Sequence, residues 1–273
     1  MRFPGLLFCV CAAYGQTAHF HHVHINATNP ELAQRFYTSK FDCESSVYAG
    51  KPAVWAQKSW LLFEKAKRIA DSAESPIWHI GWGAEDMPAA YQKQIESGTK
   101  FHTPLTDISD LANFKGFFYA YVDGPDHALI ELNTARHHHF GHLHLFSADP
   151  HKAADWYEQH LGVKARKSRP ETRMYRDVQV APSASFNIDN VNVIIYPAGY
   201  RGHQRFRSTR GTVFDHVAFS VDNLDAALKR MQDGGVHMLS KPSKIKGTRQ
   251  RSFLVEGPDQ IAIEVVEGHA AKP

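Results

Sequence analysis

The sequence has few cysteines, no long hydrophobic run and no excess of one charge. Only 3 of its 273 residues are Cys, and Cys9 and Cys11 lie within the first 15. If that segment is removed, Cys43 alone remains and no intramolecular disulfide can form. The 31 Lys and Arg residues against 28 Asp and Glu do not make the basic field that binds nucleic acid. No later stretch approaches the roughly 20 apolar residues of a membrane-spanning helix.

The amino terminus has the pattern of an export signal. Arg2 precedes an apolar stretch from Leu6 to Tyr14, and small residues stand near Gly15, as in a basic region, a hydrophobic region and a cleavage site. The competing interpretations are a buried strand and a membrane anchor, but about 10 apolar residues are too few to span a bilayer. We expect residues 1–15 to be a signal peptide and the mature protein to be periplasmic or secreted, free of the membrane.

Length and composition indicate a folded chain of two domains. Single hydrophobic cores stop growing near this length, and 43% hydrophobic with 22% charged residues is typical of globular proteins. The unusual feature is 18 His, more than the 10 Tyr or 17 Phe. Because His is the commonest metal ligand and a frequent general base, the positions of these residues indicate where a functional site would lie.

Four segments of the chain align on a histidine. The segments that begin at His22 and His142 share His, His, Pro, Ala and Tyr in the same columns. Each segment opens with a strand of period two, continues into an amphipathic helix, and closes with an apolar strand. The sequence therefore predicts an α+β fold of four βαβββ modules, at about 17–70, 74–135, 140–200 and 212–268. We expect them to pair into two curved mixed-sheet domains, 17–135 with modules 1 and 2, and 140–268 with modules 3 and 4.

Two columns of the repeat hold metal-ligand side chains. The first-strand column reads His22, His79, His142 and His216, and the last-strand column reads Glu64, Glu131, Tyr196 and Glu264. Imidazole and carboxylate together suit Zn, Ni, Fe or Mn. A carboxylate within an apolar strand needs a partner, because burying an unpaired charge is costly. His24 and His144 face the same side two residues further on. They are ligands, donors that support the ligands, or relics of the repeat, and we favour the supporting role.

This pattern resembles the vicinal oxygen chelate superfamily, whose paired βαβββ modules curl around a divalent metal ion. The resemblance covers about residues 17–268 and implies a small-molecule substrate that chelates one metal per site through neighbouring oxygens. Glyoxalase-like and epimerase-like members use a His and a Glu from each of two modules, which implies the set His22, Glu64, His79 and Glu131. Extradiol dioxygenases use two His and one Glu from the last two modules, which implies the set His142, His216 and Glu264.

The pairing of the modules is left open by the resemblance. If modules 1 and 4 pair, the first set becomes His22, Glu64, His216 and Glu264, and the second becomes His79, Glu131, His142 and Tyr196. Tyr196 would then be a weak ligand, an acid or base, or an aromatic filler.

The resemblance implies three functions from different classes. The first is a lyase or isomerase that abstracts a proton next to a carbonyl, with Glu64, Glu131 or Glu264 among the catalytic carboxylates. The second is an Fe(II) ring-cleaving dioxygenase of the extradiol type, and the third is a metal-free protein that binds a small molecule. The chain is expected to be a monomer or a homodimer.

Overall fold

The computed structural model describes residues 17–175, 178–202 and 205–272. The predicted signal peptide lies outside these residues. Within them, no helix combines the length and the apolar character needed to cross a membrane.

The chain forms four βαβββ modules, as predicted. Module 1 comprises β1 (His19–Ala27), α1 (Pro30–Lys40), β2 (Glu44–Tyr48), β3 (Lys51–Ala56) and β4 (Ser59–Lys65). Module 2 comprises β5 (Ile77–Ala84), α2 (Met87–Glu96), β6 (Phe101–Asp107), the short α3 (Ser109–Ala112), β7 (Phe118–Asp123) and β8 (Leu129–Thr134).

The second half of the chain repeats this order. Module 3 comprises β9 (Phe140–Ser147), α4 (Pro150–Leu161), β10 (Ala165–Lys167), β11 (Arg173–Tyr175), β12 (Val178–Val180), β13 (Ala184–Ile188) and β14 (Val191–Pro197). Module 4 comprises β15 (Phe214–Val221), α5 (Leu224–Asp233), β16 (Ser243–Lys244), β17 (Arg251–Glu256) and β18 (Ala262–Glu267). Module 3 adds the hairpin β11–β12 to the common plan. The α+β class is confirmed.

The four long helices begin in the same way in every module. An Asn or Asp side chain just before each helix accepts a hydrogen bond from the backbone N–H three residues later, and these capping residues are Asn29, Asp86, Asp149 and Asn223. Such caps satisfy an otherwise unpaired helical N–H. The repeated cap fixes where each first strand ends and its helix starts.

The modules pair across the chain rather than along it. One eight-stranded sheet has the order β16-β17-β18-β15-β1-β4-β3-β2, and the other has the order β10-β13-β14-β9-β5-β8-β7-β6. Modules 1 and 4 therefore share the first sheet, and modules 2 and 3 share the second. Each sheet draws strands from both of the expected domains, 17–135 and 140–268, so the domain boundary does not separate the sheets.

The short connection between modules 2 and 3 explains this pairing. Strand β5 pairs with β8 on one side and with β9 on the other. Only residues 135–139 link β8 to β9, which is enough to cross the two strand spacings, about 10 Å, around β5. Module 3 is thus held beside module 2, and module 4 is left to pair with module 1.

One contiguous core joins the two sheets. Phe20 of the first sheet contacts Phe140 of the second at 5.9 Å between ring centroids, and Phe41 stacks on Trp82 at 4.6 Å. Side chains alternate along β1, so Val23 and Ile25 enter this core while His22 and His24 face the opposite side. The histidine column is therefore on the face of the sheet that does not pack against the core.

Candidate metal centres

Each sheet brings one group of His and Glu side chains together at its centre. Cluster A, in the first sheet, consists of His22, His24, His216 and Glu264. Cluster B, in the second sheet, consists of His79, His142, His144 and Glu131. Each cluster draws its residues from three adjacent strands. These are β18, β15 and β1 for cluster A, and β9, β5 and β8 for cluster B.

In cluster A two imidazoles converge on one carboxylate. Glu264 Oε2 lies 3.2 Å from His22 Nε2 and 3.3 Å from His216 Nε2. The ring of His24 stacks on that of His216, with centroids 4.3 Å apart. Nitrogens of the three histidines lie within 4.8 Å of one another. The two strands place His24 directly opposite His216 and His22 opposite Ala218.

Cluster B repeats this arrangement in the same register. His144 lies opposite His79, and His142 lies opposite Gly81. Glu131 Oε2 is 2.7 Å from His79 Nε2, 3.7 Å from His142 Nε2 and 3.7 Å from His144 Nδ1. All four side chains of the cluster are buried.

The neighbouring imidazoles favour the ionised form of both cluster carboxylates. Burial alone would raise the pKa of Glu264, but hydrogen bonds and charge from His216 and His22 outweigh it and hold the pKa well below its usual range. Burial opposes ionisation of Glu131 in the same way, and His142 and His79 likewise hold its pKa well below the usual range. Burial lowers the pKa of His24 and of His144. The pKa of His216 is raised instead, because its hydrogen bonds with Asp215 and Glu264 outweigh burial. Metal binding requires neutral imidazoles beside an ionised carboxylate.

A β-bulge precedes the column histidine in each module. The pairing of β1 with β15 slips around His21 and Asp215, and the pairing of β5 with β9 slips around Trp78 and Gly141. An extra residue in a strand re-aims the neighbouring side chain. The residue before each column histidine therefore lies beside that histidine instead of on the opposite face.

In cluster A the bulged Asp215 supports His216. Its Oδ1 lies 2.7 Å from His216 Nδ1, and its Oδ2 accepts a 2.7 Å hydrogen bond from the Gly211 backbone N–H. Arg210 Nη1 donates to the same carboxylate at 2.6 Å. These contacts leave His216 Nε2 directed at Glu264, in the manner of the carboxylates that orient metal-bound histidines.

The bulged His21 supports His22 in the same cluster. The two Nδ1 atoms are 2.8 Å apart, so one ring donates and the other accepts. Burial, with the charge of His22, lowers the pKa of His21 to about 3. Gln250 Nε2 lies 3.4 Å from His21 Nε2, and the Tyr48 hydroxyl donates to Gln250 Oε1 at 2.6 Å. A chain of polar contacts therefore runs from His22 to Tyr48.

The last-strand column is not in one register. Glu131 pairs with Gly81 and Glu264 with Ala218, but the residues opposite His24 and His144 are Leu62 and Ile194. Glu64 and Tyr196 come two residues later on their strands. They face the same side as the clusters but lie about 7 Å further along. Each cluster therefore has one carboxylate, and Glu64 pairs with Lys51 instead.

The predicted ligand sets are recombined by the structure. His22 with Glu64 and His79 with Glu131 are on different sheets, and so are His142 and the pair His216 and Glu264. The alternative grouping of modules 1 with 4 and 2 with 3 is the one that forms, without Glu64 or Tyr196 in the clusters. His24 and His144 each have a ring nitrogen within 4.8 Å of the ligand atoms of the other histidines in their cluster, so they are placed to bind a metal ion themselves.

The clusters fit a divalent cation. His22 Nε2, His142 Nε2 and His144 Nδ1 are buried, and none makes a hydrogen bond of acceptable geometry among the described residues. Each nevertheless lies within 3.7 Å of a Glu oxygen. Metal–ligand bonds of about 2.0–2.1 Å in a tetrahedral site separate the ligand atoms by about 3.3 Å. The donor set and its spacing therefore suit such an ion, and the same residues would hold it.

The surroundings of the two clusters differ. Cluster A lies at the base of a cavity of about 490 Å³, which is also lined by Tyr48, Lys51, Glu64 and Lys246. Two other cavities, of about 590 Å³ and 670 Å³, are lined by no residue of either cluster. Cluster B is bordered by Trp78, whose ring lies 4.5 Å from that of His79.

Comparison with known proteins agrees with this architecture. Residues 139–265 match the model of the Glyoxalase/Bleomycin resistance protein/Dioxygenase superfamily. The predicted resemblance to the vicinal oxygen chelate superfamily is confirmed. A lactoylglutathione lyase of Escherichia coli O157:H7 is 24% identical over 126 residues, which are 46% of this chain and 90% of that protein.

Solved structures of the superfamily share the fold over nearly the whole chain. Glyoxalase I from Zea mays has a TM-score of 0.70 at 12% identity, and the match covers 92% of this chain and 93% of that one. A putative dioxygenase from Bacillus subtilis has a TM-score of 0.62 at 13% identity, with 92% and 86% covered. At these identities the likeness concerns the fold, so the function of this chain has to be argued from its own site.

Proposed function

We propose that the protein is a metal-dependent lyase or isomerase that abstracts a proton next to a carbonyl of a small, oxygen-chelating substrate at cluster A. The observation that carries this proposal is the position of Glu64. It lines the same cavity as His22, His216 and Glu264, but its register keeps it out of the cluster. A carboxylate outside the ligand set is available as a general base.

The residues of cluster A would divide the work in a defined way. His22, His24, His216 and Glu264 would hold the ion, and Asp215 would keep His216 in the required orientation. When bound, a divalent ion supplies a Lewis acid that stabilises negative charge on the substrate oxygens. Lys51 holds the Glu64 carboxylate at the wall of the cavity. Glu64 would take the proton from carbon and return it to the neighbouring carbon.

The lyase that shares 24% identity with this chain gives a first test compound. The protein, loaded in turn with Zn, Ni, Co, Mn or Fe(II), is incubated in D₂O with S-lactoylglutathione and with small 2-hydroxy acids and 2-hydroxy ketones. Deuterium at the carbon next to the carbonyl is followed by NMR. We expect Glu64→Gln to keep the metal and to exchange about 10²–10⁴-fold more slowly.

The matched control is Glu44→Gln, because Glu44 also lies on a strand of module 1 but pairs with Lys272 at the surface. It should exchange like the unaltered protein. Exchange that is unaffected by Glu64→Gln would contradict the proposed base. Tight substrate binding without any turnover would favour a binding protein.

A second candidate is an Fe(II) ring-cleaving dioxygenase. His22, His216 and Glu264 supply two imidazoles and one carboxylate, the donor set of non-haem Fe(II) oxygenases, and the displacement of Glu64 leaves cluster A with one carboxylate. Oxygen uptake by the Fe(II) form with catechol, unaffected by Glu64→Gln, would favour this candidate.

Export from the cytoplasm also forms part of the proposal. Mass spectrometry of the mature protein tests it, because removal of the signal peptide would leave a chain that begins after residue 15.

A further inference from the structure

We propose that cluster B is a second metal site of the closed, structural type, which holds Zn²⁺ between modules 2 and 3 and admits no substrate. The proposal is independent of the reaction at cluster A. It depends on the number of donors, on the groups that cover them, and on the space made for one of them.

Cluster B offers four protein donors from three strands. His79 comes from β5, His142 and His144 from β9, and Glu131 from β8. The three nitrogens lie 2.7 Å, 3.7 Å and 3.7 Å from Glu131 Oε2, on either side of the roughly 3.3 Å between ligands of a tetrahedral zinc ion. Structural zinc sites use four protein ligands, whereas catalytic sites keep a position open. Four donors at this spacing complete a tetrahedron. Cluster A offers the same number, so the groups around the donors decide which of the two sites is closed.

The second oxygen of the cluster carboxylate is also occupied. Asn133 Nδ2 donates to Glu131 Oε1 at 3.1 Å, while the three imidazoles approach Oε2. A carboxylate with one oxygen held by the protein and the other aimed at the imidazoles is a monodentate ligand with its supporting contact in place.

Aromatic side chains border cluster B on the side that corresponds to the cavity of cluster A. Tyr121 lies 5.0 Å from His79 between ring centroids, and Tyr196 lies 5.4 Å from His144. Trp78 stacks on Phe146 at 4.7 Å. Tyr196 stands where Glu64 stands in module 1, two residues beyond the position opposite the second histidine. The carboxylate that would act on a substrate at cluster A is thus replaced by an aromatic ring next to His144 of cluster B.

A glycine provides the room for one ligand. A Cβ atom on Gly81 would lie 1.9 Å from His142 Nε2, so the imidazole occupies the volume of the missing side chain. Gly81 pairs directly with His142 across β5 and β9. Gly81 does not have the positive φ that would require a glycine. The space that the His142 imidazole needs explains why this residue has no side chain.

The test measures metal content and stability rather than activity. The protein is purified, loaded with Zn²⁺ and dialysed against a chelator, and zinc per chain is followed over time by elemental analysis. We expect two zinc ions per chain, one lost quickly from cluster A and one retained much longer. Glu264→Gln should remove the fast ion, and Glu131→Gln should remove the slow ion and lower the Tm by at least about 5 °C.

Cobalt and a surface variant complete the design. In Glu264→Gln, Co²⁺ at cluster B should give the strong visible absorption of four-coordinate cobalt, whereas an open site that keeps water gives weak bands. His237→Ala removes an exposed imidazole and should change neither zinc content nor Tm.

Three results would overturn the proposal. The first is a protein that never holds more than one zinc ion and loses it in Glu264→Gln, a measurement that needs no variant of cluster B. The second is weak, octahedral cobalt absorption in Glu264→Gln. The third is a Glu131→Gln protein that melts lower but keeps the zinc content of the parent, which would make cluster B a hydrogen-bonded network only.

Discussion

Clusters A and B have the same donors in the same strand register, yet they differ in everything that surrounds them. Cluster A lines a cavity of about 490 Å³ and its His24 and Glu264 are partly exposed, whereas all four residues of cluster B are buried and lie beside aromatic rings. The repeat thus copies the ligands, and neighbouring positions decide whether a substrate can reach them. Under the two proposals above, one duplicated module would give a site for chemistry and a site for stability.

Two kinds of neighbour make the difference. At the bulges, cluster A has the polar His21 and Asp215, which contact the outer nitrogens of their histidines, whereas cluster B has Trp78 and Gly141. Two residues beyond the cluster register, cluster A has Glu64 and cluster B has Tyr196.

The largest effect is expected for Gly81→Ala, which would break cluster B alone. The new methyl group would occupy the place of His142 Nε2 and force the imidazole out of the cluster. We expect a free energy of unfolding lower by roughly 2–3 kcal/mol, measured by urea denaturation, and the loss of the slowly exchanging metal.

Gly199→Ala is the control for this substitution. A Cβ atom there meets nothing within 4 Å, and the backbone does not require glycine. The corresponding residue of cluster A is already Ala218, so only the second sheet depends on the missing side chain. A Gly81→Ala protein as stable as Gly199→Ala would show that His142 moves without consequence.

A smaller effect, at cluster A instead of cluster B, is expected for Asp215→Asn. The amide keeps the shape of the side chain but removes the charge that faces His216 Nδ1 at 2.7 Å. We expect metal affinity at cluster A to fall by about 10–100-fold, measured by competition with a chelator. Cluster B should be unaffected, because Trp78 occupies the corresponding bulge. Asp233→Asn, on the exposed face of α5, is the control, and equal losses at both clusters would contradict the prediction.

Much of this architecture could be predicted from the sequence. All four first-strand histidines lie in the clusters, because a strand of period two commits His22 and its counterparts to one face and each helix cap repeats at a fixed distance. The last-strand column is harder to predict, since an apolar strand can be aligned in more than one register. Glu131 and Glu264 lie beside the histidines, whereas Glu64 and Tyr196 lie two residues further along their strands.

The pairing of the modules and the bulges could not be predicted in this way. Both pairings bury the same apolar faces, and the length of the 135–139 connection decides between them only once β8 and β9 are known to flank β5. Simple alternation puts His21 and Asp215 on the face opposite their histidines, so their roles were missed. The available signal is a polar residue directly before a first-strand histidine, namely His21 before His22 and Asp215 before His216.

A modest effect is expected for His21→Phe, which sharpens the comparison of the two bulged residues of cluster A. The ring is kept, but the 2.8 Å contact with His22 Nδ1 is lost. Because a neutral hydrogen bond contributes about 0.5–1.5 kcal/mol, we expect metal affinity at cluster A to fall by about 2–10-fold, less than for Asp215→Asn. Chelator competition measures both, with His237→Phe as the surface control. A larger loss than in Asp215→Asn would reverse the ranking of the two supports.

The smallest effect concerns the contacts that join the two sheets, which also differ between the halves. Asp126, after β7, accepts hydrogen bonds from the backbone N–H and the hydroxyl of Thr28, at 3.0 Å and 2.6 Å. Asp259, after β17, accepts one at 3.0 Å from the backbone N–H of Ala148. Both aspartates have a positive φ, 54° and 56°, so replacement by Ala adds the same backbone strain in each case.

The difference between Asp126→Ala and Asp259→Ala therefore isolates the Thr28 hydroxyl. We expect Asp126→Ala to lower the free energy of unfolding by about 0.5–1 kcal/mol more than Asp259→Ala, as measured by urea denaturation. Thr28→Val, which removes the hydroxyl and keeps the backbone contact, should abolish that difference when it is combined with each variant. If the difference persists in the Thr28→Val background, the unequal stability of the two links arises from the turns themselves and not from the side chain that they hold.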